Sequence, residues 1–296
     1  MKTFINKAFL AVVATVLVAG TAFFTSCEKD ENMKTQTRNM DTQNIKSTMT
    51  NPYNFMGELH NEGLNYIVQN CDLMNLTDNI IYDTINSFMK EQFGISLDIN
   101  YEDITEMNLV VPDNVASLLL GEKSAISFIQ KEELAIVMDS AMAILKTMLE
   151  ENKLMNPNEF SEKIMLLEEV VLKMECHNPT PTITSVLNEY DAILSALAIY
   201  KYSYSFWYEV VNDESHLWNL FSSKSLKTKK ACEVIEKVGN FFKETAEVIV
   251  KVVVTVPVDA YSGLIPHTPE NTDFGLNFNP ELAINGSADM WNNNWW

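Results

Sequence analysis

The amino-acid sequence predicts an all-α protein, a single domain built as an antiparallel bundle of about six or seven helices. Apolar residues recur every three or four positions over several long segments, and prolines follow residues that commonly cap helices. Short connections between these segments favour antiparallel neighbours. We expect the helical domain to span residues 51–264, and we find no internal repeat.

Helix starts are indicated where a side-chain acceptor precedes a proline, at Asn51-Pro52, Asn156-Pro157 and Thr180-Pro181. Proline is well tolerated at the first helical position, because that N–H has no partner within the helix. The clearest apolar stripes at helical spacing run through Leu134–Met148, Phe160–Met174, Val186–Val211 and Ala231–Val252. Each stripe predicts a helix with one buried face.

Other segments give weaker patterns. They predict helices over about Pro52–Asn70 and Asp78–Phe93, the latter stopped by Gly94, and a short helix over Pro112–Leu120. Ile95–Tyr101 alternates like a strand but has no second strand nearby, and Val248–Val258 continues a helical stripe until Pro257. Pro, Gly and Asn dominate residues 265–296, for which we expect an irregular tail.

The N-terminus has the pattern of a cleaved export signal. Lys2 and Lys7 precede the uncharged segment Ala8–Phe24, and small residues lead to Cys27. A membrane-spanning helix needs about 20 apolar residues to cross a hydrocarbon core of roughly 30 Å, so cleavage is the better interpretation of this shorter stretch.

Phe24-Thr25-Ser26-Cys27 resembles a lipobox, the motif of bacterial lipoproteins, although the family usually has an aliphatic residue where Phe24 stands. The resemblance implies that signal peptidase II removes residues 1–26, cutting between Ser26 and Cys27, and that Cys27 carries a lipid. Glu28-Lys29-Asp30-Glu31 is similar to a signal that takes some outer-membrane lipoproteins to the cell surface. The alternative is an anchored chain that faces the periplasm.

Residues 27–50 are expected to form a flexible tether between the lipid and the folded body. Apart from Ile45, residues 32–50 lack large aliphatic side chains and are rich in Thr, Asn, Gln and Met. Such a segment buries too little apolar surface to offset the entropy of ordering. At 5 to 6 Å times the square root of its length, it would span roughly 25 Å.

Composition argues against nucleic acid as a partner. The chain has 40 acidic and 21 basic residues, a net charge of -19, and Arg38 is its only arginine. Binding to phosphates is driven by Lys and Arg, which displace counterions. The membrane, reached through the lipid on Cys27, and a protein or glycan are the expected partners.

We expect no cofactor and no metal. Cysteine pairs at zinc-binding spacing, a HExxH motif, a GxSxG motif and a P-loop are all missing. The acidic segment from Asp98 resembles the start of a calcium loop, but Asp103 replaces the required glycine and Leu109 the bidentate glutamate. Cys71, Cys176 and Cys232 permit at most one disulfide, and we expect small buried thiols.

His60 is the one candidate general base. It lies at helical spacing from Met56 and Leu64, which places it on the apolar side of the first helix. A buried imidazole can transfer protons or bind a ligand, but it more often fixes how a helix docks. The neighbours Cys176-His177 could suggest a thiol nucleophile, yet residues adjacent in sequence rarely form such a dyad.

Aromatic residues give two further candidate surfaces. The run from Tyr200 to Tyr208 could stack on glycans, although most of it belongs to a buried stripe. Trp291, Trp295 and Trp296 either dock on the body as a clasp or present a surface to a ligand or partner.

These observations leave three functional hypotheses. The preferred one is a lipid-anchored, non-enzymatic binding or interaction module on the cell surface. The alternatives are a hydrolase without a recognisable motif that uses His60, and a periplasm-facing structural or immunity-like lipoprotein.

Overall fold

The protein is described from a computed structural model, and the described residues belong to one compact unit, Met49–Trp296. The structure describes residues 50–71, 77–94, 101–174, 188–221, 229–266 and 276–292. Residues 1–49, which include the predicted export signal, Cys27 and most of the predicted tether, lie outside this part of the chain.

The described residues form ten α-helices, a short 3-10 helix at Ala125–Ser127 and two short strands. The helices are α1 (Asn54–Asn70), α2 (Asp78–Phe93), α3 (Tyr101–Leu120), α4 (Glu132–Glu151), α5 (Pro157–Met174), α6 (Glu189–Asn212), α7 (Leu217–Phe221), α8 (Lys229–Phe241), α9 (Glu247–Gly263) and α10 (Pro280–Asn292). The all-α prediction is confirmed.

Some helices begin or end at the capping residues that the sequence indicated. α5 begins at Pro157 as predicted, and Asn156 Oδ1 accepts a hydrogen bond from the Asn158 N–H at 2.9 Å. α2 ends at Phe93, and Gly94 caps it with a φ of 68°, a left-handed conformation that glycine adopts without a steric penalty. The helix start predicted at Thr180-Pro181 lies outside the described residues. Helix α6 begins at Glu189, because Asn188 before it is extended and its Oδ1 accepts a hydrogen bond from the Asp191 N–H at 2.9 Å.

Two prolines lie inside helices instead of at their ends. Pro112 is within α3, which begins at Tyr101 and not at the proline, and α9 continues past Pro257 to Gly263. An interior proline removes one hydrogen bond and costs about 3 kcal/mol. In α9 every residue from Ile249 to Gly263 is buried, so apolar burial offsets this local cost.

The expectation of an irregular C-terminal tail is wrong for residues 276–292. Leu264–Pro266 (β1) pairs antiparallel with Leu276–Phe278 (β2), with Leu264 opposite Phe278. Helix α10 follows directly, and Asn279 Oδ1 accepts from the Glu281 N–H at 2.8 Å. Local composition suggested a loop, but packing against the rest of the domain supplies the stabilisation that helix propensity lacks.

The core lies around α6, α9 and α10. Helix α6 packs against α1, α5 and α9, and every residue from Asp191 to Lys201 is buried. Helix α10 packs against α9, α1 and α2, so the C-terminal helix completes the domain. None of the described helices combines the length and apolar character needed to cross a membrane. The strand-like segment 95–100 lies outside the described residues.

Candidate functional site

His60 lies inside the domain, on the buried face of α1 together with Met56 and Leu64. Its side chain has no exposed surface. Ring atom Nδ1 is 3.0 Å from Asn61 Oδ1, and Asn61 Nδ2 in turn donates to the Tyr202 carbonyl of α6 at 3.0 Å. The helical spacing therefore placed His60 correctly on the apolar side, beside an asparagine that ties α1 to α6.

The other ring nitrogen of His60 points to Asp259 of α9, with 3.5 Å between Nε2 and Oδ2. Asp259 Oδ2 accepts hydrogen bonds from Ser203 Oγ at 2.5 Å and from Trp207 Nε1 at 3.0 Å, both on α6. Residues from α1, α6 and α9 thus meet at one carboxyl group. We call His60, Ser203, Trp207 and Asp259 the polar centre.

Burial dominates the electrostatics of the polar centre. It raises the pKa of Asp259 to about 8, and hydrogen bonds from Ser203, Trp207 and Ser287 only partly oppose this. Burial lowers the pKa of His60 to about 4, and the hydrogen bond to Asn61 opposes this effect. Near neutral pH both groups are therefore uncharged, with the proton on Asp259.

The residue types of the polar centre match those of a Ser-His-Asp triad, but their arrangement differs. In a triad the serine donates to the histidine, which is held by the carboxylate. Here Ser203 donates to Asp259. Ser203, His60 and Asp259 are all fully buried, so no substrate touches them in this conformation. The arrangement holds three helices together and keeps a proton in the core.

Trp291 docks next to the polar centre. Its ring stacks on Trp207 with centroids 4.0 Å apart, and its Nε1 donates to the Trp218 carbonyl at 3.1 Å. The Lys251 ammonium lies 3.6 Å from the Trp291 ring centroid. Of the two alternatives for this residue, the structure supports docking on the body. Trp295 and Trp296 lie outside the described residues.

Lys251 is an unexpected ionisable group in the core. It is buried on α9, and burial lowers its pKa to about 7, opposed by the nearby Glu247. A lysine with such a pKa is partly uncharged at neutral pH. The contact with the Trp291 ring favours the charged form. Lys251 on α9 thus contacts Trp291 on α10, and the charged form of its amine strengthens this contact.

A second polar cluster joins α1, α5 and α6. Glu168 Oε2 accepts from Lys201 Nζ at 2.8 Å, and Glu168 Oε1 accepts from Asn51 Nδ2 at 2.6 Å. Lys201 Nζ also donates to Asn54 Oδ1 at 2.6 Å. Burial raises the pKa of Glu168, while Lys201 and Asn51 oppose the shift.

Aromatic side chains between Tyr200 and Tyr208 belong mainly to the core. Tyr200, Tyr204 and Trp207 have no exposed surface, and Phe206 is buried as well. The Tyr204 ring stacks on Phe160 of α5 with centroids 4.0 Å apart. This run therefore does not form an exposed platform for glycans.

Several sequence candidates lie outside the described residues: Ser26, Cys27, Cys176, His177 and the start of the rejected calcium loop. Cys71 is a free, half-buried thiol with its Sγ 3.1 Å from Thr84 Oγ1. Within the described ranges, His, Cys, Asp and Glu side chains form no group of three or more able to hold a metal ion.

Sequence reasoning missed Asp259, Lys201, Glu168 and Lys251. A signal was present, because Asp259 falls seven residues after Val252 and so continues the apolar stripe of α9. Glu168 similarly falls four residues after Ile164, a buried position of α5. A charged residue on the apolar face of a helix indicates a buried polar contact, but the identity of its partner depends on the tertiary structure.

Comparisons with known proteins gave no match: no family model, no curated protein and no solved structure is significantly similar to the chain. Interpretation of the polar centre therefore rests on its own geometry and on the chemistry of its residues.

Proposed function

We propose that the chain is a lipid-anchored protein of the bacterial outer membrane whose helical body binds a partner protein at the cell surface without catalysing a reaction. The anchor is inferred from Phe24-Thr25-Ser26-Cys27, with the lipid on Cys27. The surface location is inferred from Glu28-Lys29-Asp30-Glu31, directly after the anchor.

The observation that carries the binding role is an apolar row on the outside of α5. Leu166, Val170 and Met174 are 63%, 38% and 36% exposed and follow one another at intervals of four residues. Residues four apart lie on the same side of a helix, and Met165 beside them is also exposed. Contiguous apolar side chains in water favour contact with another protein.

The interior of the body supports a binding role over a hydrolytic one. His60, the residue on which a hydrolase would depend, is enclosed with Asp259 and has no exposed surface. A substrate could reach His60 only if the buried side chains around it moved apart. The two polar clusters instead join helices to each other, which favours a rigid body that presents its outer faces.

The anchor is tested by mass spectrometry of the N-terminal peptide and by membrane fractionation of a Cys27→Ser variant. We expect a diacylated Cys27 in the natural chain and release of the variant from the membrane. An N-terminus without lipid on Cys27 overturns the anchor. Protease treatment of intact cells then locates the body, because a protected chain supports the periplasm-facing alternative.

The binding surface is tested by a photo-crosslinking amino acid placed at position 166 in intact cells, with position 90 on α2 as an exposed control. We expect a defined protein adduct from position 166 only. The adduct should disappear when Val170→Glu is added and persist with Glu162→Gln, a polar change on the same helix. Identical adducts from both positions contradict the proposal, as does turnover of a substrate that depends on His60.

A further inference from the structure

The polar cluster of α1, α5 and α6 brings together three groups that can react with one another. The Lys201 amine is 2.6 Å from the side-chain oxygen of Asn54 and 2.8 Å from a carboxyl oxygen of Glu168. Lys201 and Glu168 are only 8% and 2% exposed, and Asn54 is half-buried. An amine, a carboxamide and a carboxyl group therefore share one largely dry site.

We propose that Lys201 and Asn54 form an intramolecular isopeptide bond, with Glu168 as the group that moves the protons. The amide carbon of Asn54 is one bond beyond the oxygen that Lys201 already contacts. Holding two reactants in contact replaces a collision between molecules by a reaction within one fold, which provides a large effective concentration. The bond would need no cofactor and no external enzyme.

Glu168 meets the requirements of the proton-transfer group. Its Oε2 accepts a hydrogen bond from the Lys201 amine, so a proton can pass directly between them. Burial raises the pKa of the Glu168 carboxyl, which makes it a better proton acceptor than an exposed glutamate. Removal of a proton from the ammonium gives the amine the lone pair that it needs for attack.

The reaction balances without an oxidant or reductant. Glu168 takes one proton from the Lys201 ammonium, and the Lys201 nitrogen then forms a bond to the Asn54 amide carbon. Glu168 delivers a proton to the Asn54 amide nitrogen, and the bond between that nitrogen and the carbon breaks. The Lys201 nitrogen gives its second proton to Glu168, ammonia leaves, and one new secondary amide remains.

Asn51 positions Glu168 and is not the group that is attacked. Its Nδ2 donates to Glu168 Oε1 at 2.6 Å and to the Leu194 carbonyl at 2.8 Å. Its Oδ1 accepts from the Tyr53 N–H at 2.9 Å. Both ends of the Asn51 carboxamide are thus engaged, and the amine of Lys201 contacts Asn54.

The bond would link residues 147 positions apart in sequence and fix α1 to the central helix α6. Closing such a long loop covalently reduces the conformational freedom of the unfolded chain. Helix α1 is the first described helix, so a pull on the N-terminal side of the chain reaches it before the other helices. A covalent link at this point resists peeling of the body from that end.

The test is peptide mapping of the full chain, isolated from the expressing cells, denatured and digested with trypsin. Trypsin does not cleave after an acylated lysine, so Lys201 should remain uncut. We expect a species in which the peptide of residues 47–90 is joined to that of residues 174–224, lighter than their sum by one ammonia. Fragmentation should place the link between Asn54 and Lys201.

Three variants test the role of each group in the reaction. Lys201→Arg keeps the positive charge but lacks the nucleophilic amine, and it should lose the joined species completely. Glu168→Gln keeps the shape of the side chain but not its basicity, and it should slow formation of the joined species about a hundredfold or more. Asn51→Ala removes the hydrogen bond to Glu168 and should slow formation of the joined species, but the link that forms should still lie at Asn54.

The proposal is overturned if the natural chain gives only separate linear peptides of full mass. It is also overturned if ammonia is lost while the peptides stay separate, because that result indicates cyclisation of an asparagine on its own backbone. Both outcomes are read from the natural chain, so the conclusion does not depend on whether any variant folds.

Discussion

Asp259→Asn should remove the contribution of one buried carboxyl group to the pH dependence of folding. The folded-state pKa of Asp259 is about 8, raised from 3.8 by burial. A group with a raised pKa contributes stability that is fully present below the unfolded value and is lost as pH rises through the folded value. The contribution of Asp259 should therefore decline between about pH 4 and pH 8.

Within this window each pH unit changes the free energy of unfolding by about 1.4 kcal/mol for one group. From pH 5 to pH 7, Asp259 alone should thus lower the free energy of unfolding by about 3 kcal/mol. Asparagine has nearly the same shape and does not ionise. The natural chain and Asp259→Asn each have a free energy of unfolding, and the difference between these two values should change by this amount over the two pH units.

Urea unfolding, followed by tryptophan fluorescence at pH 5, 6, 7 and 8, measures this difference. Asp213→Asn is the matched control, because Asp213 is exposed and hydrogen bonds from Ser215 lower its pKa. Its difference from the natural chain should stay constant above pH 5. A pH-independent difference for Asp259→Asn would show that the folded protein binds no extra proton at Asp259 in this pH range, and it would refute the reasoning.

Three other substitutions test the core. As pH falls from 7 to 5, the free energy of unfolding of His60→Gln should rise relative to that of the natural chain, because the lowered pKa of His60, about 4, contributes stability that is lost as pH falls. A difference that does not change with pH argues against a neutral His60. Trp291→Ala should cost about 3 to 5 kcal/mol in urea unfolding by removing the stack on Trp207, and a loss below 1 kcal/mol would mean that α10 is loosely docked. Gly63→Ala should cost about 1 to 3 kcal/mol, since its Cβ would lie 2.5 Å from Ile284 Cδ1, whereas Gly239→Ala meets no atom within 4 Å and should not destabilise.

Much of the helical architecture could be predicted from local pattern. Spacing of apolar residues located α4, α5 and most of α6, and Asn156-Pro157 marked the start of α5. The pattern failed where a proline or a polar composition suggested an end. Pro112 and Pro257 lie inside helices, and α10 forms in a segment that was expected to be irregular. In both cases packing against distant parts of the chain outweighs the local conformational preference.

The candidate site was predicted only in part. His60 was correctly placed on the apolar face of α1, because that placement depends on helical period alone. Its neighbour Asp259 is 199 positions away in sequence, and a spacing rule cannot connect them. The same holds for the contacts of Lys201 with Asn54 and Glu168, which require three helices to pack in one particular way.

The sequence by itself determined the export signal pattern, the acidic composition, the helical class and which faces of the helices are apolar. These properties depend on residue type and on spacing within one segment. The tertiary structure decided which polar groups meet in the core and which of them lose their charge. Burial removes water from around a charged group, and the free energy of that step depends on neighbours that distant parts of the chain supply.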